Sequence, residues 1–174
     1  MEPLDVRQDR GLLLADGVTR PGHRVAAGIW DRLAERVGSG DAADLLDQLT
    51  QGQRAVCVLV VAERQILNGG FGQFLENSTA RFVPDLVPAA EAIGAEDYRQ
   101  VFAGVVDLLP SDQLPASRDG REALLEEHLG DDEEERLGEL EDEFYELLDA
   151  PESSLEALIW GHVEARSEEF FVDA

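Results

Sequence analysis

A chain of 174 residues with 44% hydrophobic and 30% charged residues is long enough, and apolar enough, for one soluble domain with its own core. Its 38 acidic residues outnumber the 14 cationic residues, which are all arginine, so the net charge is −24. This balance excludes binding of nucleic acid through its phosphates and argues against docking on anionic membranes, so a charged partner should be basic, unless the charge serves only solubility.

The first 50 residues predict an irregular arm followed by two helices. Residues 1–22 are rich in Gly, Pro and Asp, which predicts a loosely packed N-terminal arm. A helix should follow, because apolar residues recur every four positions at Val25, Ile29, Leu33 and Val37. Residues 38–41 should end this helix and cap a second one, whose apolar stripe is Leu45, Leu46 and Leu49.

The middle of the chain predicts a buried helix. If the segment 53–67 is helical, its apolar residues lie on nearly all sides of the helix. Fifteen residues without a turn signal are too many for an ordinary strand. Cys57 lies in this segment, which indicates a buried, inert thiol in a reducing compartment. Asn68-Gly69-Gly70 should end the helix, since glycine adopts the left-handed conformation of a helix C-cap.

The remaining segments also have the helical period. Pro84 opens one segment that Gly94 closes, the next ends at Pro110, and residues 111–119 are typical of a linker. Further helices are predicted at about 120–129, 134–149 and 154–171. The expected fold is all-α, a single bundle of about six to eight helices over residues 23–174 that follows the arm at 1–22.

Two aromatic residues of the last predicted helix lie off its apolar stripe. Trp160 and Phe171 should form a second buried face, the less favoured alternative being a dimer contact, so the sequence leaves the oligomeric state open.

No segment is typical of a targeting or membrane sequence. The N-terminus lacks the basic and apolar regions of a signal peptide, and the longest apolar run, 55–62, is far shorter than a membrane span. A cytoplasmic location is therefore expected.

The negative charge is concentrated towards the C-terminus. Residues 1–110 contain 16 acids and 10 arginines, a net charge of −6, whereas residues 111–174 contain 22 acids and 4 arginines, a net charge of −18. Within 131–149 alone, 11 of 19 residues are acidic. This segment still predicts a helix, because its apolar residues share one side: Leu137, Leu140, Phe144, Leu147 and Leu148.

Five carboxylates lie on the opposite side of this predicted helix, and we call them the acidic face: Glu135, Glu139, Asp142, Glu146 and Asp149. At about 1.5 Å per residue they span about 21 Å, or one charge per ~5 Å, which approaches the ~3.4 Å phosphate spacing of one DNA strand. Like charges three or four residues apart destabilise a helix by about 0.2–0.5 kcal/mol per pair, and Arg136 relieves only part of this. Glu141 does not belong to the face, since it lies near the apolar edge.

Three explanations compete for this acidic helix: a solvated face that serves solubility, adaptation to high salt, and a surface that imitates a polyanion and occupies a basic DNA-binding groove. Salt adaptation should acidify the whole surface, whereas the first 110 residues are only mildly acidic.

Recognisable patterns of catalytic and metal-binding residues are missing from the sequence. His23, His128 and His162 have the wrong spacing to pair with Cys57 and an acid or to form a Glu-x-x-His metal motif. The glycines at 69–72 lack the lysine of a phosphate-binding loop. We therefore predict that the protein is not an enzyme and has no cofactor and no specific metal site. The weakest alternative is an undetected hydrolase or metal-dependent enzyme that uses carboxylates.

The most distinctive local sequence contains seven signature residues: Asn68, Gly69, Gly70, Phe71, Gln73, Phe74 and Asn77. The glycines predict a tight backbone turn, the two phenylalanines share one face, and the polar side chains should be buried and hydrogen-bonded at a packed corner. The motif resembles the NGGF-x-QF-x-x-N signature of a bacterial DNA-mimic protein family of small, acidic proteins. The resemblance extends beyond the motif to residues 92–95 and 143–145, and in all it covers about residues 50–171.

This resemblance implies an all-helical domain that binds a basic DNA-binding protein, such as a transcription regulator, by presenting carboxylates where DNA has phosphates. The signature would hold the fold, whereas nine acidic residues would meet the partner: Asp131, Asp132, Glu133, Glu134, Glu135, Glu139, Asp142, Glu143 and Glu146. The alternative is a helical interaction domain whose acidity serves solubility or salt tolerance and whose binding groove lies around Phe71 and Phe74.

Overall fold

Helices account for all the regular structure in the computed structural model, which describes residues 4–13, 19–37, 41–110 and 114–172. The α-helices are α1 (Arg10–Leu13), α2 (Pro21–Val37), α3 (Gln51–Glu76), α4 (Val83–Ala92), α5 (Glu96–Asp107), α6 (Arg118–His128), α7 (Asp131–Asp149), α8 (Leu155–Ala165) and α9 (Ser167–Phe170). Two 3₁₀ helices, Ala42–Gln48 and Ser78–Phe82, precede α3 and α4. The predicted all-α class is confirmed, because the described residues contain only one isolated β-bridge, between Gln8 and Phe171.

Helix α3 is the centre of the fold. Its residues Val56, Leu59 and Ile66 are fully buried, and α2, α4 and α8 pack around it. The length and hydropathy of α3 would suit a membrane span, but 61% of its most apolar window is buried inside the fold, as in the core helix of a globular domain. The predicted buried thiol is confirmed, since Cys57 is fully buried and burial raises its pKa.

Some predicted elements differ from the observed ones in type or extent. Residues 42–48 form a 3₁₀ helix rather than an α-helix, although Asp41 caps it as expected by accepting a hydrogen bond from the Ala43 N–H. The predicted linker ends earlier, because the Ser117 hydroxyl caps α6. The predicted helix at 154–171 breaks at Arg166, between α8 and α9. Residues 38–40 and 111–113, which belong to a predicted helix end and to the predicted linker, lie outside the described residues.

The described part of the N-terminal arm is packed against the domain rather than loosely attached. Val6 is fully buried, and the buried Gln8 side chain donates a hydrogen bond to the Val25 carbonyl over 3.0 Å. The Gln8 backbone pairs with the C-terminal end, donating to the Phe170 carbonyl and accepting from the Val172 N–H. These long-range contacts leave no periodic signal in the sequence, which is why the composition of the arm was misleading.

The second buried face predicted for the last helix is confirmed. Phe171 is almost completely buried and Trp160 is partly buried against the core. The guanidinium carbon of Arg10 lies 5.4 Å from the ring centre of Phe171 and 5.9 Å from that of Trp160. The N-terminal arm therefore covers these two aromatic rings within one chain.

Candidate protein-binding site on helix α7

The acidic helix begins three residues earlier than predicted. Residues 131–134 form its first turn and are all acidic, which stabilises a helix because its N-terminus carries partial positive charge. Glu133 also reaches back to accept a hydrogen bond from the Gly130 N–H over 3.0 Å. The four acidic residues at 131–134 therefore also have a structural role, because they stabilise the N-terminus of the helix.

The apolar stripe of α7 fixes the helix on the core. Leu140 and Phe144 are buried, and the ring centre of Phe144 lies 5.7 Å from those of both Phe71 and Tyr98, in edge-on contacts. The other stripe residues, Leu137, Leu147 and Leu148, are partly buried against the core. The predicted stripe is confirmed, and a helix packed in this way holds its opposite side in one orientation.

The opposite side of α7 is exposed as predicted. All five residues of the acidic face are exposed, and so are Asp131, Asp132, Glu134 and Glu143, whereas Glu133 is half-buried. Arg136 Nη1 lies 2.7 Å from Glu139 and 3.2 Å from Glu143. Among the described residues, Glu135, Asp142 and Glu146 have no ion-pair partner. The role of the nine acidic residues in binding stays a prediction.

The signature motif forms a kink inside α3 rather than the end of the helix. Gly69 and Gly70 leave the helical conformation, and Gly70 has φ 74° and ψ −178°, a region open essentially only to glycine. A side chain at Gly70 would also overlap the Glu141 carboxylate. The helix resumes at Phe71, so one element contains two segments in different directions.

Two side chains of α7 bind the backbone at this kink. The Phe71 N–H donates a hydrogen bond to Glu141 Oε2 over 2.8 Å, and the Tyr145 hydroxyl donates to the Ile66 carbonyl over 3.1 Å. A kink interrupts helical hydrogen bonds, and α7 supplies partners for one N–H and one carbonyl there. The signature motif and the acidic helix are thus one structural unit.

The other signature residues agree only partly with the predicted corner. Phe71 and Phe74 are fully buried, and the half-buried Asn77 donates a hydrogen bond to Gln65 Oε1 over 3.0 Å. Gln73 is half-buried and folds against Gly69, but Asn68 is exposed, so its predicted burial is wrong. The Phe71 and Phe74 rings do not reach the surface, so the rings themselves do not line the alternative binding groove predicted around them, and a groove in this region stays a prediction.

Sequence reasoning missed the function of Glu141 and Tyr145. A weak signal was present, since Glu141 was the acid that did not fit the exposed side, and Tyr145 lies four residues further along the helix, where it shares the side of Glu141. What the pattern did not contain was the partner, a glycine turn about 70 to 80 residues earlier in the chain.

A second group of carboxylates, the buried Glu63 and the half-buried Glu156, lies between α2, α3 and α8. Glu63 is 2% exposed and lies 2.8 Å from His23 Nε2, while His23 Nδ1 contacts Glu156 and Arg20 contacts Glu63. Glu156 also accepts hydrogen bonds from the N–H groups of Gly22 and His23 at the start of α2. Among the described residues, no group of three or more His, Cys, Asp or Glu side chains is arranged to hold a metal ion.

The pKa values in this buried cluster are set by its partners. Burial acts to lower the pKa of His23, but its hydrogen bonds to Glu156 and Glu63 outweigh burial and raise it. Burial acts to raise the pKa of Glu63, but His23 and Arg20 outweigh burial and lower it. Both groups are therefore stabilised in their charged forms, as expected for a structural ion-pair cluster.

Comparison with protein families gives one match that covers most of the chain. A family model described as DMP19-like protein matches residues 47–162, about two thirds of the sequence. The matched region contains the kink, all of α7 and the contacts between them. No curated protein and no solved structure matches the chain.

Proposed function

The chain belongs to the DMP19-like (DNA mimic protein 19-like) family, and from that premise we propose that it is an acidic DNA mimic. In this proposal it binds a basic DNA-binding protein, such as a transcription regulator, in the cytoplasm and competes with DNA for it. The activity is binding, without a catalysed reaction or a cofactor.

The observation that supports this proposal most is the exposed acidic face of a helix held rigidly on the core. Glu135, Asp142 and Glu146 lie on one side of α7 at intervals of seven and four residues and carry charge that no described cation neutralises. A DNA-binding groove recognises charges at fixed positions, so the buried Leu140 and Phe144 are as necessary to the mimic as the carboxylates.

Competition with DNA is the direct test. The tagged protein is immobilised, incubated with native lysate at low salt, and eluted either with a salt gradient or with duplex DNA at constant salt. A DNA-binding protein that elutes with both is the expected result, because salt and DNA compete for the same basic surface. The proposal would be contradicted if duplex DNA elutes none of the retained proteins.

A charge-reversal variant then locates the interface. Glu135→Lys, Asp142→Lys and Glu146→Lys, combined, should abolish capture of that DNA-binding protein without unfolding the domain, as checked by circular dichroism. The matched control is Glu35→Lys, Glu91→Lys and Asp107→Lys, which changes the net charge equally at exposed positions of α2, α4 and α5. Equal loss in both variants would show that total charge, rather than the acidic face, determines binding.

A further inference from the structure

A groove lies beside the acidic face, between α6, α7 and the second segment of α3, residues 71–76. Its volume is about 400 Å³. Leucines from all three helices form its floor: Leu75, Leu125, Leu129 and Leu137. Glutamates line its rim: Glu76, Glu122, Glu126, Glu134 and Glu141.

The floor of this groove, which we call the α6–α7 groove, is partly open to solvent. Of its four leucines, Leu75 and Leu125 are buried, whereas Leu129 and Leu137 are partly exposed. Gly72 on α3 and Gly138 on α7 line opposite walls, and a Cβ atom at either position would have no neighbour within 4 Å. The two glycines therefore leave room above the leucines that larger side chains would fill.

The rim already binds one guanidinium group from the chain itself. Arg118 Nε lies 2.6 Å from Glu122 Oε1, and Arg118 Nη2 lies 3.2 Å from Glu76 Oε2. Glu126 and Glu134 are exposed and have no ion-pair partner among the described residues. The rim therefore offers further carboxylates to a second cationic group, next to an apolar floor.

We propose that the α6–α7 groove binds a basic amphipathic helix of the partner protein. The apolar side of that helix packs on Leu129 and Leu137, and its arginines or lysines pair with Glu126 and Glu134. This inference rests on the proposed function, because it names the part of a basic partner that the domain recognises beyond its DNA-binding surface. A charged face alone attracts many basic proteins, whereas an apolar groove selects those that carry a matching helix.

Two synthetic helical peptides of equal charge test the proposal directly. One carries arginines on one side and leucines at helical spacing on the other, and the second has each leucine replaced by glutamine. Binding of fluorescently labelled peptide is measured by anisotropy at about 0.15 M salt, where long-range attraction is partly screened. We expect the leucine peptide to bind about tenfold more tightly or better, since burial of apolar side chains adds to the same charge pairing.

A filled groove separates this site from non-specific attraction. Gly72→Gln with Gly138→Gln places two neutral side chains in the open space without changing any charge, and should bring the leucine peptide down to the affinity of the glutamine peptide. Gly161→Gln is the matched control, because Gly161 is an exposed glycine of α8 that also has no neighbour within 4 Å of a Cβ atom. A second variant, Leu137→Gln, removes part of the floor and should have the same effect, while thermal melting monitors the fold of each.

The outcomes decide the groove and the proposed function separately. The proposal that the α6–α7 groove binds a helix is overturned if the two peptides bind equally. It is also overturned if the filled variant and Leu137→Gln both bind the leucine peptide as tightly as the wild type does. Neither result bears on competition with DNA, which is tested separately by elution with duplex DNA and by the charge-reversal variant of the acidic face. A partner that ignores duplex DNA would overturn the proposed function even if the leucine peptide binds the groove as expected.

Discussion

Two sets of carboxylates in this domain have opposite surroundings. Glu63 and Glu156 lie between α2, α3 and α8, where His23, Arg20 and backbone N–H groups neutralise or bind their oxygens. Glu135, Asp142 and Glu146 lie on exposed α7, with no described cation beside them. The first set stabilises the fold, whereas repulsion within the second set works against it, so acidic composition alone does not reveal what a carboxylate does.

Helix α7 contains both kinds of carboxylate within one element. Glu141 points to the kink and accepts the Phe71 N–H, while Asp142 beside it is exposed. The difference follows from helix geometry, since neighbouring residues lie about 100° apart around the axis. A structural contact on one side therefore fixes the direction in which the unpaired charges on the other side point.

The largest expected effect comes from removing the buried carboxylate. Glu63→Ala should lower the free energy of unfolding by about 3 kcal/mol, because His23 and Arg20 lose their most buried partner and keep only the Glu156 carboxylate. Glu135→Ala, an exposed counterpart, should change it by less than about 0.5 kcal/mol. Urea unfolding of both variants measures this contrast, and similar losses in the two would remove the distinction between the sets.

The next effect concerns the kink that holds α7. Gly70→Ala should cost about 2–3 kcal/mol, since alanine disfavours a positive φ with extended ψ and its Cβ displaces the Glu141 carboxylate. Gly94→Ala is a control for the positive φ alone, because Gly94 has nearly the same φ, 73°, and no neighbour within 4 Å of a Cβ atom, so a larger cost at Gly70 measures its extended ψ and the Glu141 contact together. Equal costs would show that the Glu141 contact contributes nothing to stability.

Much of this fold follows from local patterns, and what does not follow depends on contacts distant in sequence. Helix α3, the stripe of α7 and the exposed acidic face were predictable because each repeats with the helical period. The kink at Gly69 and Gly70 was predictable as a turn but not as a bend within one helix, because its hydrogen-bond partners, Glu141 and Tyr145, lie 70 and 79 residues away from the groups they bind.

The candidate site was predictable in the same uneven way. The face of Glu135, Asp142 and Glu146 follows from spacing alone, whereas the α6–α7 groove requires three helices to meet and leaves no pattern in any one of them. The Glu63 cluster was missed for a related reason. A single acid in the apolar segment 53–67 gives no indication that a histidine 40 residues earlier and an arginine 43 residues earlier will neutralise it.

Titration of His23 and Glu63 should make the free energy of unfolding depend on pH. The change should be smaller than the loss caused by Glu63→Ala. The pKa of His23 is raised above its usual value of about 6.5, so its stabilisation is complete below about pH 6.5 and is lost as the pH rises through the raised value. The pKa of Glu63 is lowered, so its contribution is present above about pH 4.5 and is lost as the pH falls through the lowered value.

Thermal melting between pH 6 and pH 9 tests the histidine part of this prediction. The melting temperature of the wild type should fall over this range, and His23→Gln should fall much less because it has no proton to lose. His128→Gln, which replaces an exposed histidine of α6, should behave as the wild type. A wild-type slope that survives in His23→Gln would assign the titration to other groups.

The smallest effect has the opposite sign and concerns the acidic face. Glu146→Gln should raise the free energy of unfolding by about 0.2–0.5 kcal/mol for each like-charge neighbour it relieves, and the gain should vanish in ~1 M salt, where charges are screened within about 3 Å. Glu139→Gln should gain less, because it also removes the ion pair with Arg136. A variant that folds more stably but captures less of a DNA-competing partner would show that the carboxylate is retained for binding, since residues at functional sites often lower stability. If Glu146→Gln is instead less stable than the wild type at low salt, the Glu146 carboxylate has a structural partner. Glu146 would then no longer differ in this respect from the carboxylates of Glu63 and Glu156.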